Sequence, residues 1–218
     1  MILAIASVED DTNIRKQIAK QTIQPDEIYI YVDKNPARSL NLRRKKIAEN
    51  QNILKGIVET YDADIIWQLE GDDDLPENAL EKLLEDYYNN PDGYVSGIQV
   101  GRHGLYCLGA WQFAEDFKSF KSLDHTLKGL QEVDATGFYC LLTSKEIWLK
   151  GLAEWEDEPY GPDVNWGISL RAQGYKIYCD MDVKVGHIIK GGIIHPDNIS
   201  TCNVQFTNIE GRWHYKTT

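Results

Sequence analysis

Apolar residues in the first hundred positions come in short unbroken runs, separated by segments of helical period. Ile2-Leu3-Ala4-Ile5-Ala6 predicts a buried strand, and Thr12 to Gln21 a helix with Asp11 or Thr12 as N-cap. Pro25-Asp26 marks a turn before a second strand, Glu27 to Val32, that ends at Asp33; Asn35-Pro36 then breaks the pattern. Leu42 to Tyr61 predicts a long helix with Ile47, Ile53, Leu54, Ile57 and Val58 on its apolar side. Asp64 to Leu69 is a third strand, Pro76 to Tyr88 a helix with Pro76 near its first turn, and Tyr94 to Val100 a fourth strand. Runs rather than strict alternations are expected of strands covered on both faces. The order therefore predicts an α/β fold with a parallel sheet and right-handed crossovers. Ligands bind such sheets at the carboxyl ends of the strands. Those ends carry Ser7-Val8-Glu9-Asp10, Asp33-Lys34 and Glu70-Gly71-Asp72-Asp73.

The second half is less regular. Residues 101–133 read as an excursion without a sustained period. Phe138 to Leu142 predicts a strand, Ser144 to Leu149 the start of a helix, and Trp155 to Pro162 an acidic, aromatic loop. Asp163 to Gln173 predicts a helix closed by Gly174, followed by strands at Tyr175–Cys179 and Val183–His187. From Lys190 the chain is Gly- and Asn-rich and is expected to be a loop or lid.

With 218 residues, 42% hydrophobic and 26% charged, the chain can bury one sizeable core, and a single ordered domain is the default. No apolar run is long enough to span a bilayer, and no signal peptide is legible at the start. Four widely spaced cysteines (Cys107, Cys140, Cys179 and Cys202) without a CxxC pair predict reduced thiols and a cytoplasmic protein, whether free or peripheral to a membrane. A net charge of −11 argues against a broad nucleic-acid footprint. The charge is uneven, however. Lys34, Arg38, Arg43, Arg44, Lys45, Lys46 and Lys55 face one acid, Glu49, whereas residues 56–92 are strongly acidic with Lys82 as their one base. A basic segment beside an acidic one can hold an anionic ligand and a metal together; two solvated helix faces would give the same pattern.

The carboxylates Glu70, Asp72, Asp73 and Asp74 end a core strand, where they repel one another. A divalent cation such as Mg2+ or Mn2+ would offset that repulsion. A solvated turn, with Asp74 capping the next helix, is the plain alternative.

Leu69-Glu70-Gly71-Asp72-Asp73-Asp74-Leu75-Pro76 resembles the DxD-type motif of family 2-type glycosyltransferases of the GT-A fold, often extended as L-D-x-D-D before a helix with Pro near its start. Glu stands for the first Asp, and Asp72-Asp73-Asp74 is itself a DxD, so Asp74 is a second possible metal ligand. The opening ILAIASVEDD…QTIQPDEIYIYVD is similar to the family's nucleotide-binding start. By that resemblance Val8, Glu9 and Asp33 contact the nucleoside, Arg44 and Asn52 help hold the diphosphate, and Glu70 and Gly71 face the donor. YGPDVNWGISLRAQGYKIY, residues 160–178, looks like the family's G-E-D acceptor motif, with Pro162 for Glu. The resemblance makes Asp163 the general base, Asp72 and His187 the metal ligands, and Thr136 and Gly137 acceptor-side residues; Trp155, Tyr160 and Trp166 flank Asp163, where an aromatic face can stack on the acceptor sugar or belong to the core.

The resemblance covers about residues 1–188. It implies one GT-A-like domain with a mostly parallel central sheet flanked by helices. A nucleotide-sugar-binding half (1–100) is followed by an acceptor half (101–188), and residues 189–218 form a tail or lid. The implied activity is metal-dependent, inverting transfer of a sugar from a UDP- or GDP-type donor to an acceptor hydroxyl, with Mn2+ or Mg2+ as cofactor. The acceptor class is open: glycan, small molecule, protein or modified nucleic-acid base. A Mg-dependent nucleotidyl or phosphodiester enzyme and a non-catalytic carbohydrate- or metal-binding module are the alternatives. A DxDxT phosphatase and an EF-hand are excluded by the missing Thr and the missing turn Gly.

Overall fold

The computed structural model describes residues 1–34, 40–101, 107–114, 119–154, 160–198, 204–209 and 212–217. The first half runs β1 (Ile2–Val8), α1 (Thr12–Ala19), β2 (Glu27–Val32), α2 (Leu40–Thr60), β3 (Ile65–Glu70), β4 (Asp73–Asp74), α3 (Ala79–Asn89) and β5 (Gly93–Gln99). The second half adds β6 (Ala110–Phe113), β7 (Ser119–Ser122), β8 (Leu130–Val133), β9 (Ala135–Thr136), β10 (Leu141–Ser144), α4 (Lys145–Lys150), α5 (Pro162–Arg171), β11 (Lys176–Ile189), β12 (Gly192–Ile194), β13 (Val204–Ile209) and β14 (Arg212–Thr217).

The main sheet has the order β12-β11-β5-β10-β3-β1-β2. β1 pairs in parallel with both β2 and β3, and β11 pairs in parallel with β5. β10 lies antiparallel between β3 and β5, so those two run in the same direction. The sheet is thus mostly parallel, and the carboxyl ends of β1, β2 and β3 share one edge. Burial explains the apolar runs. Leu3 and Ile5 of β1 enter one core cluster while Ala4, Ala6 and Val8 enter the other, on the opposite face.

Several boundaries differ from expectation for identifiable reasons. Helix α3 begins at Ala79 rather than Pro76, because Asp73 and Asp74 pair as β4 with His187 and Gly186 of β11. Asn78 takes the N-cap position, so Asp74 does not cap this helix. The strand expected at 138–142 is Leu141–Ser144, and Ser144 caps α4 through Ile147 N. Strands expected at 175–179 and 183–187 are one strand, β11, with a register shift between Cys179 and Lys184. The excursion contains β6, β7 and β8, strands of four residues too short to show a period. The tail is not a loop: β12 folds back on β11, and the β13–β14 hairpin joins β7, β6 and β9 in a five-stranded sheet.

Cys107, Cys140 and Cys179 are buried, and Cys202 lies outside the described residues. No helix among the described residues is long and apolar enough to cross a membrane.

Candidate metal and nucleotide site

At the shared carboxyl edge lies a cavity of about 740 Å³. Its walls are Ser7 to Asp10 after β1, Asp33 after β2, Glu70 to Asp72 after β3, Thr12, Asn13 and Lys16 of α1, and Arg43, Lys46, Ile47 and Asn50 of α2. Acids and cations therefore face each other across one space. Val8, Glu9, Asp33, Glu70, Gly71 and Asp72, expected on the donor side, all line it. Asn52 does not; it is exposed, and Asn50, two residues earlier and on another helix face, lines the cavity instead. Likewise Arg43 rather than Arg44 is in the wall. Asp33 is 6% exposed and accepts from Asn50 Nδ2 at 3.2 Å, with Lys46 Nζ 3.3 Å from the same oxygen. Gly71 lies flat against Val8: a Cβ there would stand 2.8 Å from Val8 Cγ1.

Carboxylate oxygens of Glu70, Asp72 and Asp73 lie within 4.8 Å of one another. Asp73 is fully buried, and both its oxygens are engaged: Oδ2 accepts from Glu70 N at 2.9 Å and Oδ1 from Gln99 Nε2 at 2.8 Å. Burial pushes its carboxyl up to about 8, with the Asp72 charge acting in the same direction and the hydrogen bonds opposing. Glu70 is held well above the usual carboxylate range by burial and then by the charges of Asp72, Asp73 and Asp163; Arg43 opposes. His187 Nε2 lies 3.2 Å from Asp72 Oδ2, and Nδ1 lies 3.0 Å from the Val100 carbonyl oxygen. That carbonyl can only accept, so Nδ1 carries a hydrogen and Nε2 faces the acids. Burial disfavours the imidazolium, but the hydrogen bonds to Asp72 and Val100 outweigh it, and the His187 pKa is raised.

Two carboxylates and an imidazole suit Mn2+, and paired carboxylates suit Mg2+. Glu70 and Asp72 are the donors that the acidic cluster leaves available, since Asp73 is committed to the backbone and Gln99; His187 meets Asp72 from outside that cluster. Asp74 is directed away: it accepts from Gln17 Nε2 at 3.1 Å and faces Lys20 Nζ at 3.3 Å. It is not among the clustered acids.

Asp163 sits in the first turn of α5 but is not its cap; Gly161 holds that position. Its carboxylate is fitted between two glycines. A Cβ on Gly161 would stand 2.5 Å from Oδ1, and one on Gly137 would stand 3.6 Å from Oδ2. Burial raises its pKa, opposed by hydrogen bonds from backbone N–H groups at the helix start and by the Arg44 charge. Asp163 does not line the cavity, but its charge is felt at Glu70.

The other acceptor-side residues are distributed differently from expectation. Trp166 is 1% exposed and packs against Tyr94 and Phe138, so it is core. Thr136 is buried and bonds Tyr94 Oη. Tyr160 is buried in an aromatic group with Phe113 and Phe120. Of this set, Gly137 stands beside Asp163; Trp155 lies outside the described residues.

The sequence did not single out Asn13 and Gln17 of α1 and Gln21 just past its end, which bond the segment 71–80. Their signal was an amide every fourth residue, one step from the apolar Ile14 and Ile18.

No protein-family model matches the chain, and no curated protein matches it. Among solved structures, A197 from STIV is similar over 91% of this chain and 91% of that one, with a TM-score of 0.51 and 14% identity. The crystal structure of GalNAc-T7 with UDP, GalNAc and Mn2+ is similar over 87% of this chain, with a TM-score of 0.54 and 10% identity. This chain spans 44% of that protein's length. At such identities the likeness establishes the fold: a GT-A-like α/β arrangement with a mostly parallel central sheet flanked by helices.

Proposed function

We propose that this chain is a metal-dependent, inverting glycosyltransferase that moves a sugar from a nucleotide-sugar donor to an acceptor hydroxyl. The observation that carries the reading is the meeting of Asp72 and His187. They are 115 residues apart in sequence, 3.2 Å apart in space, and Asp72 is in the wall of the cavity. The fold shared with a structure that holds UDP, GalNAc and Mn2+ supports it.

Glu70, Asp72 and His187 would hold the cation. When bound, a divalent cation neutralises charge developing on the leaving nucleoside diphosphate. Asp33 and Asn50 offer polar groups to the nucleoside. Lys16, Arg43 and Lys46 offer positive charge to the diphosphate, against which the acids alone would work. Asp163 takes the proton from the acceptor hydroxyl. The oxygen then bonds to the anomeric carbon as the bond to the diphosphate oxygen breaks on the opposite face, which inverts the centre. A carboxylate with a raised pKa is a better proton acceptor than an ordinary aspartate, which suits that task.

The test is a panel of nucleotide sugars with Mn2+, following release of nucleoside diphosphate and metal-dependent nucleotide binding. Turnover of one donor supports the reading. No transfer or hydrolysis of any donor, together with no metal-dependent nucleotide binding, overturns it.

A further inference from the structure

The acidic turn is held from two sides through three successive carbonyls. The Gly71 and Asp73 carbonyl oxygens both accept from Asn13 Nδ2, at 2.9 and 3.0 Å. The Asp72 carbonyl between them accepts from Ile188 N at 2.7 Å, from the residue after His187. The residues on either side of Asp72 are therefore tied through their carbonyls to α1, and its own carbonyl to β11. A single amide on α1 spans the residue whose side chain faces His187.

Asn13 is itself oriented. Its Oδ1 accepts from Gln17 Nε2 at 3.4 Å, which leaves Nδ2 toward the turn. Gln17 also accepts from Leu75 N at 2.8 Å and donates to Asp74 Oδ1. One helical turn further, Gln21 donates to the Pro76 carbonyl at 2.9 Å and accepts from Leu80 N at 3.2 Å. Residues 13, 17 and 21 recur every fourth position, Asn13 and Gln17 within α1 and Gln21 just past its C-cap Lys20, and so continue one stripe. Amides, unlike apolar groups, can fix the direction of backbone carbonyls.

From this geometry we infer that Asn13 is a positioning residue for the cation site, setting the direction of the Asp72 carboxylate through the carbonyls on either side of it. The inference rests on the proposed metal-dependent reading of the same acids. Gln21, at the far end of the stripe, makes a comparable set of hydrogen bonds to backbone remote from Asp72 and serves as the structural control.

The experiment measures Mn2+ binding to the whole chain by electron paramagnetic resonance of the free ion, with and without UDP, alongside thermal melting. Wild-type protein is expected to bind Mn2+, and failure to do so overturns the metal reading itself. Asn13→Ala is expected to weaken Mn2+ binding about 10-fold, the scale seen when a group supporting a metal ligand is removed. Gln21→Ala is expected to lower the melting temperature comparably while binding Mn2+ as wild type does. Asn13→Asp, which sets an acceptor against two carbonyls, is expected to bind Mn2+ no better than Asn13→Ala. The inference is overturned, with the metal reading intact, by wild-type affinity in Asn13→Ala, by equal loss in Gln21→Ala, or by tighter binding in Asn13→Asp.

Discussion

His187 Nε2 faces Asp72 Oδ2 across 3.2 Å while the opposite ring nitrogen is bonded to the Val100 carbonyl. The carbonyl fixes which nitrogen carries the hydrogen, so the ring can present a lone pair to a cation only when it is neutral. Its raised pKa means that protons compete for Nε2 at higher pH than for an ordinary histidine. Mn2+ affinity is therefore expected to fall as pH falls from about 8 toward 6, since the imidazolium cannot ligate. His187→Gln should bind Mn2+ more weakly at pH 8 and show a shallower pH slope. A slope equal to that of the wild type would remove His187 from the ligand set. Asp72→Asn should weaken metal-dependent nucleotide binding by a comparable factor in the same titration.

Asp163 lies outside the cavity lining but beside Gly137 and Gly161. Its proposed work concerns the acceptor alone. Asp163→Asn should lower transfer by about 10²- to 10⁴-fold, the usual scale for a general base, and leave donor binding unchanged. Transfer that survives the substitution would place the base elsewhere. Transfer and donor binding lost together would instead indicate that Asp163 supports the fold of the site.

The strand side of the cavity wall was legible because strand ends in an apolar-run sheet are defined by the sequence: Asp33 and Glu70 follow directly on Val32 and Leu69. The helix contribution was less legible. Each residue along α2 rotates a side chain by about 100°, so Arg43 rather than Arg44, one residue on, and Asn50 rather than Asn52, two residues on, reach the cavity. Trp166 shows a different limit. An aromatic residue near a proposed base reads the same in sequence whether it stacks on a ligand or on Tyr94 and Phe138. The tail strands were hidden for two reasons: β12 closes locally on β11 but has only three residues, too few to show a period, and β13 pairs with β7, far away in sequence.

Gly71 has a positional requirement that the DxD spacing alone does not express. A methyl group at 71 would stand 2.8 Å from Val8 Cγ1 and 3.0 Å from Val8 Cβ. Something must move, and Val8 is 6% exposed with little room to give. Gly71→Ala should destabilise by about 1–3 kcal/mol, the range for overpacking. Because both residues line the cavity, nucleotide affinity should fall as well. Pairing the change with Val8→Ala should restore part of the stability in urea titrations; a purely additive double mutant would show that the clash is not with Val8.

Asp86 of α3 and Asp180 of β11 form a second acidic contact, remote from the residues that line the cavity. Burial first, and then the Asp180 charge, push the Asp86 carboxyl up to about 7 from an ordinary 3.8. In the unfolded chain Asp86 loses its proton near the ordinary value, whereas in the fold it keeps it to about 7. Between those values the folded state binds more protons, so its contribution to stability falls as pH rises through the window. Asp86→Asn removes the charge that must otherwise form beside Asp180. It should raise the melting temperature at pH 8, by about 2–4 °C for each 1 kcal/mol recovered in a chain of this size, and change it little at pH 4. Calorimetry from pH 4 to 8 on both proteins provides the check. Parallel melting curves across that range would show that Asp86 is not the group whose ionisation opposes folding.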